Sequence, residues 1–144
     1  MTEIKTGLCV LITNAFIENW SGSELYVHDV AMELIKRGHK PVVYSPHIGK
    51  LAEELRSKSI PVIKDLNLIG VKPDLIHGQH HLETMTAIAH FPGTPAVFFC
   101  HGWLPWEEPP LSIHELFIMS QSAMHYMTAW FMNVGFRPKR LQRS

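Results

Sequence analysis

The feature that most constrains this chain is a repeated alternation of short, uninterrupted apolar runs with segments of helical periodicity. Leu8-Cys9-Val10-Leu11-Ile12 comes first. A strand with one wet face would alternate polar and apolar residues, so this run reads as a strand covered on both faces of a parallel sheet. Tyr26/Val27, Val30/Ala31 and Leu34/Ile35 then recur at spacings of three and four up to Gly38, which predicts an amphipathic helix closed by a C′ glycine. Ser23 is the expected N-cap, with Glu24 in the first turn. The unit repeats, with strands expected over 41–44 and 60–63 around a short helix over 50–58. Pro73 precedes a fourth strand over 74–77, a helix follows over 82–90, and a fifth strand covers 96–100. A sixth is expected over 115–119. Ser120 or Ser122 would cap a late helix in which Ala123, Met127, Trp130/Phe131 and Val134 share a face, ending at Gly135. Such alternation requires right-handed crossovers and gives an α/β fold, a doubly wound parallel sheet.

A chain of 144 residues that is 46% apolar and 18% charged suits one core, and no fixed-period repeat or linker divides it. Thirteen Lys and Arg balance thirteen Asp and Glu, so the whole-molecule basic field of a nucleic-acid binder is missing. Arg137, Lys139, Arg140 and Arg143 lie in the last eight residues, leaving nine bases against thirteen acids elsewhere. The expected organisation is therefore one domain over 1–136 and a basic tail over 137–144. That tail reads first as a solvated terminus, with peripheral contact to anionic lipid as the functional alternative. Cys9 and Cys100 sit in apolar runs, as reduced, buried thiols would. Met1-Thr2-Glu3-Ile4-Lys5 lacks the pattern of a signal peptide and no run is long enough to span a bilayer, so a cytoplasmic location is expected.

Parallel α/β sheets bind ligands at the carboxyl ends of their strands near the switch in strand order, which directs attention to the loops after strands one, four and five. The first holds Ser21-Gly22-Ser23 at a helix start, suited to a phosphate or simply to an N-cap. The second holds Gly78-Gln79-His80-His81. The third holds His101-Gly102-Trp103-Leu104-Pro105-Trp106. His77, His80 and His81 have metal-ligand spacing, with His101 a candidate to approach from the next strand, but no carboxylate completes an HExxH arrangement and no metal is expected. Cys100 and His101 are adjacent in an extended segment and would face opposite ways, which disfavours a nucleophile and base pair. Trp103 and Trp106 suit either the C–H face of a sugar, a lipid, or a hydrophobic plug against Met85.

Several of these segments, taken in order, resemble the N-terminal domain of glycosyltransferase family 4. Ser21-Gly22-Ser23-Glu24 is similar to a "GGSE" helix start, Arg37-Gly38-His39 to "RGH", and Tyr44-Ser45-Pro46 follows in place. Pro73-Asp74-Leu75-Ile76-His77 is similar to "PDxIH", His101-Gly102 to "HG" after a strand, and Met119-Ser120-Gln121-Ser122 to "VSxA". The resemblance implies the Rossmann-like, acceptor-side half of a GT-B architecture, working on a nucleotide-sugar and a sugar or lipid-linked acceptor. It implies transfer of a hexosyl group with retained anomeric configuration, without a further cofactor. By the same resemblance His101 would meet the transferred sugar, Ser21, Gly22 and Ser23 would face the diphosphate, and Asn14, His80, His81, Gly102, Trp103 and Trp106 would line the acceptor side. Two departures stand out. The family's first loop glycine is Ser21 here, where a Cβ resists positive φ by roughly 1 kcal/mol. The paired glutamates seven residues apart in the family's second, donor-binding domain have no counterpart, and adjacent Glu107 and Glu108 do not supply one. The 144 residues alone are thus expected to be inactive without a C-terminal domain or partner chain, and to self-associate through the surface that such a partner would cover. Two rival readings are a non-catalytic carbohydrate- or partner-binding module and a small nucleotide-binding Rossmann protein. The latter is disfavoured because no GxGxxG closely follows strand one.

Overall fold

The computed structural model describes residues 7–101 and 116–119. Six strands form one sheet: β1 (Cys9–Thr13), β3 (Lys40–Tyr44), β5 (Val62–Ile63), β6 (Leu75–Gly78), β7 (Ala96–Phe99) and β8 (Leu116–Met119). Their order is β5-β3-β1-β6-β7-β8, and every neighbouring pair is parallel. Numbered by turn in the chain this is 3-2-1-4-5-6, the doubly wound Rossmann-like order, with the reversal between β1 and β6. A second, two-stranded ladder of β2 (Phe16–Ile17) and β4 (His47–Ile48) joins the loops that leave β1 and β3.

Because both faces of β1 are covered, consecutive residues enter different cores. Val10 and Ile12 pack with Val27 and Ala31 of α1 (Gly22–Lys36) and with Leu51, Ala52 and Leu55 of α2 (Lys50–Ser57). Leu11 and Ile76 pack on the other face with Ala87 of α3 (His81–His90) and Ala96. Each buried Val, Leu or Ile among them contributes on the order of 1.5 to 3 kcal/mol by leaving water, which explains the uninterrupted apolar run. Helix α1 ends as its glycine predicts. Gly38 has φ +82°, its N–H donates to Ile35 O, and the His39 N–H donates to Leu34 O, closing a Schellman motif.

Two expectations need correction. The N-cap of α1 is Ser21 and not Ser23, which lies inside the first turn. The third strand shortens to Val62–Ile63, although Ile60 is fully buried and the Pro61 carbonyl accepts from the Val43 N–H. Proline has no N–H to donate, so a regular ladder cannot run through position 61. Both cysteines are thiols, Cys100 buried and Cys9 partly so. The late helix, the basic tail, Gly102, Trp103 and Trp106 lie outside the described residues. Among the described residues no helix is long and apolar enough to cross a membrane.

Candidate functional site

The strand order brings the carboxyl ends of β1, β6 and β7 side by side, with the start of α1 above them. At the end of β1, Asn14 is fully buried. Its Nδ2 donates to Phe16 O at 2.7 Å and to Ser23 Oγ at 3.3 Å, tying the loop to the first turn of α1. Its Oδ1 has no hydrogen-bond partner among the described residues.

The start of α1 is shaped by Glu24, a residue expected simply in the first turn. Its buried carboxylate accepts from the Glu18 and Asn19 N–H groups, both at 2.6 Å, and from Ser21 Oγ. Ser21 therefore spends its hydroxyl on Glu24 and makes no capping bond to the helix. The first-turn N–H groups, which have no intrahelical acceptors, remain uncapped by Ser21. Ser21 adopts φ −109° and ψ 171°, extended backbone that any residue tolerates, so the serine at this position carries none of the strain that positive φ would impose. Among the described residues, a Cβ built on Gly22 meets nothing within 4 Å, so none of them closes over the helix start there.

The second loop is held on both sides. Thr13 Oγ1 accepts from the Gln79 N–H at 3.1 Å and donates to Gln79 O at 3.2 Å, and Thr84 Oγ1 also donates to Gln79 O, at 3.3 Å. Gly78 lies so close to α3 that a Cβ there would come within 2.5 Å of the Thr84 side chain. The next residue, His80, takes φ +61° and ψ 138°, a conformation that costs a non-glycine residue on the order of 1 to 3 kcal/mol. This turn aims the ring back across the switch point, where Nδ1 accepts from the Ala15 N–H at 3.0 Å. His81 begins α3 and is only partly buried.

Beyond β7, His101 sits in an aromatic nest. Tyr26 of α1 stacks on Phe99 at 4.5 Å and on His77 at 5.7 Å, and meets His101 edge-on at 4.8 Å. The Tyr26 hydroxyl hydrogen-bonds His77 Nε2 at 3.2 Å. Burial, and secondarily the proximity of His101, hold His77 down at about 4, so its imidazole is neutral near pH 7. Burial also pushes the Tyr26 hydroxyl up. His101 Nε2 hydrogen-bonds the Oε1 of Gln79, whose side chain is fully buried.

The structure thus gathers Asn14, Ser21, Gly22, Ser23, His80 and His101 around the ends of three strands, with His81 at the start of α3. Among the described residues no group of three or more His, Cys, Asp and Glu gathers to hold a metal ion. Sequence reasoning missed Thr13, Tyr26, Glu24, Gln79 and Thr84 as builders of this site. A signal existed for Glu24, since Ser21-Gly22-Ser23-Glu24 has the S-x-x-E spacing of a capping box once Ser21 is taken as the N-cap. Thr13 was findable as the polar residue that ends an apolar strand, whereas the Thr84 contact needs the three-dimensional fold. Neither the curated proteins nor the solved structures gave a match to this chain. The model of Glycosyltransferase Family 4 matches residues 20–137, a span that takes in α1, β6, β7 and His101, and the chain belongs to that family.

Proposed function

We propose that this chain is the acceptor-side half of a retaining, nucleotide-sugar-dependent glycosyltransferase with GT-B architecture, acting with a donor-binding domain across a shared cleft. The observation that carries this reading is the convergence, at the carboxyl ends of β1, β6 and β7, of His101 with an α1 start that Ser21 leaves uncapped. Transfer breaks the bond between the anomeric carbon and the diphosphate oxygen, so negative charge grows on the leaving group. The N–H groups of Gly22 and Ser23, at the positive end of α1, are placed to favour that charge. A neutral His101 imidazole offers one donor and one acceptor nitrogen, which suits a hydroxyl of the transferred sugar. Asn14, His80 and His81 belong to the acceptor side. What supports this for the first two is that the bonds from Asn14 to Phe16 and Ser23 and from Ala15 to His80 hold them at the strand ends. Gly102, Trp103 and Trp106 would extend the same side.

Residues 1–144 tested by themselves with nucleotide-sugars and acceptors are expected to show no turnover, because on this reading the transition state is bound between this half and a donor-binding domain. Supplied with a donor-binding domain, they should transfer sugar with retained anomeric configuration. His101→Ala should then lower turnover by about a hundredfold or more with little change in Tm, since a positioned transition-state contact contributes roughly 3 kcal/mol or more. Normal turnover with a large fall in Tm would make His101 a structural residue and remove this reading.

A further inference from the structure

We propose that Gln79 is a positioning residue for His101. Its buried carboxamide oxygen accepts a hydrogen bond from His101 Nε2–H and so holds the imidazole in the Nε2–H tautomer, with the lone pair on Nδ1. The inference builds on the reading of His101 as the residue that meets the sugar.

The geometry gives Gln79 little freedom to do otherwise. Thr13 and Thr84 pin its backbone at both N–H and C=O, and its side chain is fully buried beneath the ring it contacts. An amide oxygen can only accept, so the nitrogen that it meets must carry the proton, and a neutral imidazole then bears its lone pair on the other nitrogen. The groups facing His101 agree with a fixed ring. Tyr26 of α1 and Phe99 of β7 confine it by aromatic contact, and His77 of β6, held neutral, places no competing charge beside it. The cost points the same way. Gln79 Nε2 has no hydrogen-bond partner among the described residues, a deficit that an apolar side chain of similar size would avoid. The carboxamide is explained by what its oxygen does.

The tautomer is measurable without any transfer reaction. In long-range proton–nitrogen spectra of the chain labelled with ¹⁵N-histidine, the His101 signals are those lost in His101→Ala. Wild type should show the Nε2–H pattern at neutral pH. Gln79→Leu should convert His101 to a mixture of tautomers while the other histidine signals stay in place. Gln79→Glu keeps an acceptor and adds a negative charge, so it should retain the Nε2–H form and raise the His101 titration midpoint by about one unit or more. It also decides the matter should Gln79→Leu fail to fold. An Nδ1–H tautomer in wild type, or a His101 midpoint unmoved in Gln79→Glu, would overturn the proposal. If His101→Ala abolishes transfer but these spectra do not respond, the role of His101 stands and that of Gln79 falls. If the spectra respond but His101→Ala transfers normally, the Gln79 contact stands and the glycosyl-transfer role of His101 falls.

Discussion

Between β1 and α1 the chain takes eight residues, 14–21, to reach its helix, whereas between β6 and α3 it takes two, Gln79 and His80. The long loop exposes Phe16 and Trp20, and its second half is gathered by Glu24, which reaches back from the helix to the Glu18 and Asn19 N–H groups. The short loop is buried and ordered by close contact, with Gly78 against Thr84, two threonine hydroxyls on Gln79, and a strained His80 turn. Eight residues offer more backbone donors than their own turns can satisfy, so a carboxylate gathers them. Two residues leave only the Gln79 N–H and C=O to satisfy, which the Thr13 and Thr84 hydroxyls do, and close packing does the rest. The long loop leans on a buried carboxylate, the short one on close packing and two hydroxyls.

The largest expected effect comes from removing the carboxylate. Glu24→Ala deprives two backbone N–H groups and a hydroxyl of a charged acceptor, and should cost about 4 kcal/mol, given roughly 1.5 to 3 kcal/mol per charge-assisted bond and partial exposure of the loop. Denaturant melts would measure the loss, and amide exchange should quicken across 14–21 before it does at Gln79 and His80. A loss below about 1 kcal/mol, the range of ordinary surface changes, would erase the distinction between the loops.

Next in size is a pH effect at the point where the two loops share support. His77 lies at the foot of the short loop and touches α1 behind the long one through Tyr26. Its folded value of about 4 lies below the ordinary 6.5, so as pH falls the unfolded chain takes the proton first. The contribution of a neutral His77 is complete above pH 6.5 and is lost progressively as pH drops toward 4. The full loss is about 3 kcal/mol, from roughly 1.4 kcal/mol per unit. Melts of wild type and His77→Gln over this window should diverge, with the variant showing the flatter profile. Parallel profiles would dissociate His77 from the coupling.

The smallest effect tests the steric loop. Gly78→Ala drives a methyl into the Thr84 side chain and should cost about 2 kcal/mol, in the range for overpacking a filled site. The double variant with Thr84→Ala should be less damaged than the two single losses added together. Strict additivity would mean that the short loop is held by something other than this contact.

Much of the fold could be read in the sequence, because burial on both faces of a parallel strand leaves a continuous apolar run, as in β1, and a C′ glycine ends a helix visibly, as at Gly38. The strands β2 and β4 could not be read, since two residues are too few for any periodicity and their pairing depends on where β1 and β3 end. At the site, the positions of His101 and the Ser21 to Ser23 segment followed from strand ends and helix starts. The roles of Glu24 and Thr84 did not. A glutamate in a first turn looks alike whether it faces solvent or a loop, and a threonine in mid-helix gives no sign of the glycine across from it. His80 was placed in the right loop, but its positive φ is set by the demand that two residues turn the chain from β6 into α3.

The β2–β4 ladder adds a mechanical property. Besides its strand pairing, the Gly49 N–H donates to Ile17 O, and Ser45 Oγ hydrogen-bonds both Ala15 O and His47 O. The loop that leads into α1 and the start of α2 are thereby fastened to a common tile, which Glu24 ties to α1. A peptide inserted at Phe16 or a nick at His47 would loosen both helix starts at once, so neither is a sound place for a graft, exposed though both residues are. The segment that leads from the short 3-10 turn at Leu66–Leu68 toward β6, with Leu68 and Val71 open to solvent, is the better seam for cutting or extending this protein.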